Sequence, residues 1–458
     1  MTAQRPGRRS ARWAVTVLAG AIVMQFSAAV VGTAYLAAEG QPRAGAPITA
    51  QGRPAPHLAG DIPALSSTER ARRAAAIRAL LAQRSNALLH RDRATFLAVL
   101  DAASPAFRAQ QAKLFDNLAQ VPLGSWSYSV DPDHEMSQAG TRLARFHALV
   151  WAPQVTVNYR LAEFDTRETS QSQYFTFVQR AGRWYIGADD DFDSVSFKTA
   201  RGLWDFGPVV VARTATTLAL GHPRSRDTLR TVTRVADAAI PRVSAVWGHD
   251  WAGRVVILVP DSQAELSRII QEGSDLDQIA AVTTTELAGG SGAPAGDRIL
   301  VNPPNFAKLG SLGRQVVLRH EITHVASRVA TTAATPTWLA EGFADYIGYL
   351  NSGVSVAAAG HELAADVRAG RLPKSLPADA AFAGNNTGLA QVYEMSWLAC
   401  RLIVASVGQA GLVHFYRTVG GGDGVPGSGV EEALRTSLHL TLAQFTLSWR
   451  AYVTRQLG

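Results

Sequence analysis

The chain is 458 residues long, 47% hydrophobic and 18% charged, which supplies apolar material for more than one core and excludes a disordered body. Its formal net charge is +7, but Arg5, Arg8, Arg9 and Arg12 all precede the first apolar run, and the mildly basic remainder gives no reason to expect a nucleic-acid partner. Cys400 is the single cysteine, so an intrachain disulfide framework and a cysteine-ligated zinc finger are excluded; among Trp397, Leu398, Leu402 and Ile403 it reads as a small core residue.

Residues 1–12 read as a basic cytoplasmic tail. Trp13 to Ala38 follows without a formal charge. A membrane-spanning helix needs about 20 apolar residues, whereas the apolar part of a cleaved signal takes about 7–15, so the length predicts an uncleaved signal anchor at 13–38. Gly32, Ala34 and the Ala37-Ala38 pair leave cleavage and secretion as the alternative. The arginines hold the N-terminus in the cytoplasm. The expected product is a single-pass protein of the cell membrane with everything beyond residue 39 extracytoplasmic. Pro42, Pro47, Pro54, Pro56 and Pro63 make 39–63 an extended tether.

Ser66-Ser67-Thr68-Glu69 carries a helix start, and Ile77, Leu80, Leu81, Leu88 and Leu89 give that helix an apolar stripe. Helical runs follow at 93–102 and 105–118. The pattern then turns β-rich, at Trp126 to Val130, Leu143 to Trp151, Val155 to Phe164, Tyr174 to Gln179 and Trp184 to Ile186, with Ala181-Gly182 as a tight turn. Helices followed by a meander of strands predict an α+β cone, with helix packed on a curved antiparallel sheet. This order, with the terminal Gly-Arg-Trp-Tyr-Ile strand, resembles the NTF2-like or SnoaL-like fold over 64–195. The resemblance implies either a ligand-holding cone or a docking domain. Asp189-Asp190-Asp191 with Asp193 reads as a solvated acidic turn at the end of this unit.

A second unit is expected over 200–458. Val209 to Val211 and Arg254 to Val259 read as strands, and Arg230 to Trp247 as a helix between them. Gln263 to Ile270 is a further helix. Ala280 to Leu287 and Arg298 to Asn302 make a hairpin around Gly289-Gly290-Ser291-Gly292. Everything later is helical: 311–329, a run from Pro336 to Leu350, 357–370, 390–407, 412–419, 430–438 and 442–456.

The helix at 311–329 carries His320-Glu321-Ile322-Thr323-His324. Histidines four apart project from one face of a helix, where both can reach one Zn²⁺ at about 2.0–2.1 Å. Glu321 points to another side, toward a water rather than the metal. The next helix carries Glu341 and, after a short reversal, can return it to the histidines as a third ligand. Two histidines, one carboxylate and an open position form a catalytic rather than a structural zinc pattern.

His320-Glu321-x-x-His324 with Trp338-Leu339-x-Glu341-Gly342-Phe343-Ala344-x-Tyr346 resembles the gluzincin metallopeptidases, in particular the peptidase MA-like group related to the M1 aminopeptidases. The resemblance implies a zincin-type α+β domain with a mostly helical C-terminal half. It implies one zinc held by His320, His324 and Glu341, with Glu321 as general base and Asp345 orienting His320 through its other ring nitrogen. Related families place a tyrosine or histidine downstream to stabilise the oxyanion. Tyr393 is the candidate here and Tyr346 its rival. The Gly-x-Met-Glu-Asn motif that grips a free amino terminus in the aminopeptidases is not found before the zinc helix, so the mode of cleavage stays open. The expected activity is zinc-dependent hydrolysis of a peptide or protein substrate. The alternative is a binding or scaffold protein that keeps the peptidase fold without its activity.

Overall fold

A computed structural model of the chain describes residues 66–136, 144–195, 197–271, 276, 278–287, 294–383, 385–425 and 427–458. The expected tail, membrane span and tether lie outside these residues. The described chain is α+β. Ser66 accepts from the Glu69 backbone N–H and opens α1 (Ser67–Leu89). Asp92 caps α2 (Arg93–Ala98) in the same way, and Pro105 stands at the first position of α3 (Pro105–Asn117).

The strands that follow are β1 (Leu123–Glu135), β2 (Val150–Trp151), β3 (Pro153–Leu161), β4 (Thr169–Gln173), β5 (Thr176–Arg180) and β6 (Arg183–Ala188). They form two three-stranded antiparallel sheets, β1-β3-β4 and β2-β5-β6. The two are halves of one bent hairpin. β2 and β3 are separated only by Ala152, and β4 and β5 only by Tyr174 and Phe175. The register runs through the bend unchanged, with Trp151 opposite Phe177 on one side and Val155 opposite Gln173 on the other. Pro153 at the corner has no N–H to lose from the ladder. Ala181 and Gly182, with φ of 46° and 77°, make the turn between β5 and β6.

Two expectations are corrected in this region. The strand expected over 143–151 is only β2, because 144–146 forms a turn of 3₁₀ helix that buries Phe146. The acidic turn is solvated only in part: Asp190 is exposed and Asp193 half-buried, but Asp189 and Asp191 are buried. Asp189 receives a two-pronged pair from Arg201 at 2.7 and 3.0 Å, and Asp191 pairs with Arg145 at 2.7 Å. The arginines lie far off in sequence, which is why the local charge run misleads.

The second region begins with β7 (Val210–Arg213), β8 (Thr217–Gly221), α4 (Arg226–Trp247), β9 (Val255–Val259), α5 (Gln263–Ile270), β10 (Ala281–Leu287) and β11 (Pro294–Val301). One sheet takes the order β10-β11-β9-β8-β7. β8, β9 and β11 run parallel, and β7 and β10 are antiparallel outer strands. Every residue of β8 and β9 is buried, as a strand covered on both faces requires.

The helices then follow as α6 (Pro303–Lys308), α7 (Ser311–Ser327), α8 (Thr337–Tyr349), α9 (Val356–Ala359), α10 (His361–Arg368), α11 (Leu389–Gly420), α12 (Ser428–Leu438) and α13 (Leu442–Leu457). The helix expected over 357–370 is broken at Gly360 into α9 and α10. The helices expected at 390–407 and 412–419 are one element, α11, kinked at Gly408 where φ is 77°. By length and apolarity α11 could cross a membrane, but Trp397, Leu398, Cys400, Ile403 and Phe415 bury it in the core.

The two regions share their apolar interior. Trp204 packs against Trp126 and Tyr159 with ring centroids 6.0 and 5.6 Å apart, and the same cluster continues into Leu218, Val232 and Phe343. Arg298 on β11 reaches back to Asp165, just after β3, through two bonds of 2.7 and 2.8 Å with both side chains 2% exposed. Removing one partner of so deeply buried a pair strands the other charge. Arg298→Met is therefore expected to lower stability by about 3–5 kcal/mol, read from the midpoint of urea unfolding.

Candidate metal centre

α7 is a buried helix. Val316 to His324 are all buried, because α4, α8 and β10 cover it from different sides. α8 is covered more completely still, with every residue from Thr337 to Gly348 buried. The two helices pack antiparallel, as their contacts in sequence order require. His324 meets Glu341, His320 meets Glu341 and Asp345, and Arg319 donates to the carbonyls of Gly348 and Leu350 at 3.5 and 3.1 Å. The Arg319 guanidinium thereby satisfies carbonyls that the C-terminus of α8 leaves open, and it sets the register of the pair. At the other end of α8 the Thr337 N–H donates to Asp379 at 2.8 Å.

Two glycines make the approach close enough. A Cβ on Gly342 would lie 2.3 Å from the Ser396 carbonyl oxygen of α11, and one on Gly348 would lie 3.1 Å from the Val316 carbonyl oxygen of α7. Gly342 thus lets α8 lie directly on α11 and seats the neighbouring Glu341 against the histidines.

The result is a buried cluster of three donors. His320 Nε2 lies 3.0 Å from His324 Nε2 and 3.1 Å from Glu341 Oε2, and His324 Nε2 lies 3.5 Å from that same oxygen. Donors on a tetrahedral zinc with bonds near 2.0–2.1 Å stand about 3.3–3.4 Å apart. The three separations bracket that value, and the three side chains form the metal-binding group found among the described residues. Glu341 Oε1 is buried without a hydrogen-bond partner, a state that a cation beside it would relieve. His320 Nδ1 donates to Asp345 Oδ1 at 2.8 Å, which leaves the Nε2 lone pair directed at the cluster.

The electrostatics follow from this crowding. Burial alone would raise the Glu341 carboxyl, but the facing His324 and His320 outweigh it and bring it down to about 2. Burial would lower His320, and Asp345 and Glu341 reverse that and raise it well above the ordinary imidazole value. The pocket is built to hold positive charge.

Glu321 is buried, and its carboxylate bonds to β10. Thr283 Oγ1 donates to its Oε2 at 2.7 Å and to its carbonyl oxygen at 3.3 Å. Thr283 is a partner of Glu321 that the sequence does not announce, since a threonine in a strand has no signature of its own. The two candidate tyrosines separate. The Tyr393 ring lies 6.4 Å from the His320 ring and edges Phe382, whereas the Tyr346 hydroxyl accepts from Gln409 at 3.1 Å, on the far side of the Gly408 kink.

A second group beside the site also escaped sequence reading. Glu394 follows Tyr393 on α11 and accepts from the Leu363 and Glu362 backbone N–H groups at 2.6 and 3.3 Å, at the start of α10. Burial, together with the facing Glu362 carboxyl, pushes Glu394 up to about 10. His361-Glu362 reads in sequence as a surface helix start. His361 is exposed, but the Glu362 side chain turns inward.

No family model matches the chain, and no curated protein matches it. Among solved structures, an M1 zinc metallopeptidase variant from Deinococcus radiodurans is similar at 13% identity and a TM-score of 0.29, over 74% of this chain and 62% of that one. A variant of a two-domain M1 zinc metallopeptidase bound to L-arginine is similar at 16% identity and a TM-score of 0.27, over 62% of this chain and 60% of that one. The chain spans less than two thirds of the length of either. The chemistry of the site therefore rests on its own residues.

Asp345→Asn should weaken zinc binding about 10–100-fold while leaving one site per chain, as measured by competition with a chelator. Glu394 gives a pH dependence of known sign. Its folded value lies above the unfolded one, so the stability it contributes is complete below about 4.5 and is lost as pH rises toward 10. Thermal unfolding should fall between pH 7 and pH 10, and Glu394→Gln should flatten that decline.

Proposed function

We propose that the chain is a membrane-anchored, zinc-dependent metallopeptidase that hydrolyses peptide bonds outside the cytoplasm. The observation that carries this reading is the buried His320, His324 and Glu341 triad, spaced for a tetrahedral ion, with Glu321 next to it and not consumed as a ligand. Two imidazoles and one carboxylate suit zinc, and they leave a position open.

Zinc held there would polarise the scissile carbonyl and bring the pKa of a water toward about 7. The remaining work falls to side chains. Glu321 takes a proton from the attacking water and later returns it to the leaving amine. Thr283 holds the Glu321 carboxylate in one orientation through its 2.7 Å bond. Asp345 keeps the His320 ring turned the right way. Tyr393, whose ring stands near His320, is the candidate donor to the developing oxyanion, with Tyr346 as its rival. β10 is an outer strand of its sheet and carries Thr283 at the site. An extended peptide or protein segment can therefore add along it beside Glu321.

Residues 64–195 fit an NTF2-like docking or spacer unit, a reading supported by three helices followed by a sharply bent hairpin sheet. Trp13 to Ala38 supplies the anchor on the strength of its length and of the arginines before it.

The decisive experiment profiles cleavage of a peptide library by the wild type and by Glu321→Gln. The wild type should carry about one zinc and cleave, and the variant should keep its zinc and lose at least 100-fold in rate. A wild type that binds zinc and cleaves nothing in the library would instead be a scaffold on a peptidase fold. Unchanged turnover by the variant would remove Glu321 from the mechanism.

A further inference from the structure

His222 lies just past the end of β8, where the chain turns from the five-stranded sheet toward α4. It is 4% exposed, and both of its ring nitrogens face acceptors. Nδ1 lies 3.0 Å from the Pro208 carbonyl oxygen, shortly before β7. Nε2 lies 2.7 Å from Glu265 Oε1, in the first turn of α5. A carbonyl oxygen has no hydrogen to offer, so Nδ1 must donate to it. In a neutral imidazole that would leave the Nε2 lone pair aimed at a carboxylate oxygen. The arrangement is favourable only with one more proton between Nε2 and Oε1.

The rest of Glu265 shows where that proton resides. Its Oε2 accepts from the Asp261 backbone N–H at 3.0 Å, and its own N–H donates to Ser262 Oγ at 3.2 Å. This caps the N-terminus of α5, where free N–H groups and the helix dipole favour a charged carboxylate. The pair is therefore an imidazolium against a carboxylate. Asp261 adds a second carboxylate nearby and accepts from the Ser225 hydroxyl at 3.1 Å. Arg268, further along α5, lies over the Phe206 ring, and Arg224 is exposed. Phe206, Gly207 and Pro208, which cover the other side, do not titrate. Burial alone would lower His222, but Glu265, the Pro208 carbonyl and Asp261 outweigh it and raise it above the ordinary imidazole value.

We propose that His222 and Glu265 form a proton-dependent latch that holds α5 on the ends of β8 and β9 and releases it in alkaline solution. When the second proton leaves, Nε2 and Oε1 become two acceptors 2.7 Å apart. The ring is closely packed, since a Cβ on Gly207 would stand 3.1 Å from Nδ1. α5 is the weaker neighbour. It has eight residues and buries only Glu265 and Leu266, whereas β8 and β9 are buried throughout. Opening therefore takes place at α5. The folded value of His222 lies above the unfolded one, so its stabilisation is complete below about 6.5 and is lost as pH rises through the folded value.

The test follows backbone hydrogen–deuterium exchange of the full chain in detergent at about pH 6 and about pH 9.5, with the intrinsic rate divided out. In the wild type, protection of α5 relative to β9 should fall at least about tenfold between the two, as one charge-assisted hydrogen bond is lost. Taking β9 as the reference separates this local opening from global unfolding. In Glu265→Gln the amide oxygen can cap α5 while its N–H donates to neutral Nε2, so the relative protection of α5 should be the same at both pH values. Deuterium exchange at Cε1 of the His222 ring gives that residue's own titration in the wild type. Its midpoint should lie above about 6.5. Should the variant not fold, the wild-type protection and this midpoint decide together. A midpoint at or below about 6.5 would overturn the proposal. So would α5 protection that does not fall in the wild type, or that falls as far in Glu265→Gln.

Discussion

The antiparallel contact between α7 and α8 is the constraint on which the rest of the molecule depends. Three ligand atoms must converge to about 3.3 Å of each other from two helices, and helices usually pack 8–10 Å apart. The solution is local and chemical. Gly348 admits the backbone of α7, Gly342 admits the backbone of α11, and Arg319 ties the end of α8 to the middle of α7. A residue of ordinary size at Gly342 would have to displace the Ser396 carbonyl, and with it the helix that carries Tyr393 and Glu394. The metal centre, the candidate oxyanion donor and the buried carboxyl pair are thus parts of one packing arrangement.

The second organising theme is the handling of buried charge. Arg298 with Asp165, Arg201 with Asp189 and Arg319 with the end of α8 are each buried and each satisfied by a partner distant in sequence. Such pairs add little net stability over an apolar core, because desolvation cancels most of the attraction. They are intolerant of losing one member, which makes them effective at holding a particular arrangement. Arg298 and Asp165 fasten the five-stranded sheet to the curved one, and Trp204 does the same with aromatic surface. Arg84 stands apart from this pattern, as a buried cation whose bonds all go to neutral groups.

Stability and chemistry meet at β10. The strand lies at the border of its sheet, pairs only with β11 among the described strands, and presents Thr283 inward to Glu321. Here the strand holds the carboxylate of Glu321, the general base of the proposed reaction, through Thr283.

Much of the site was legible in sequence because its logic is helical and local. His320 and His324 are four apart, so any helix brings them together, and Glu341 and Asp345 repeat that spacing on the next helix. The helix-then-strand order of the first region and the strand–helix–strand start of the second were readable for the same reason, since periodicity and turn residues are short-range signals. What the sequence could not determine depends on who arrives from elsewhere. Whether Asp189 and Asp191 are solvated was decided by Arg201 and Arg145. The surroundings of Tyr393 and Tyr346 were likewise decided by packing, with the Tyr393 ring 6.4 Å from that of His320 and the Tyr346 hydroxyl accepting from Gln409. The register of α7 against α8 rests on Arg319 and two glycines whose need for close approach appears only once a neighbouring backbone is there to be approached. Sequence spacing determines what one helix presents; only the tertiary structure determines what meets it, because burial and long-range pairing are properties of the packed chain.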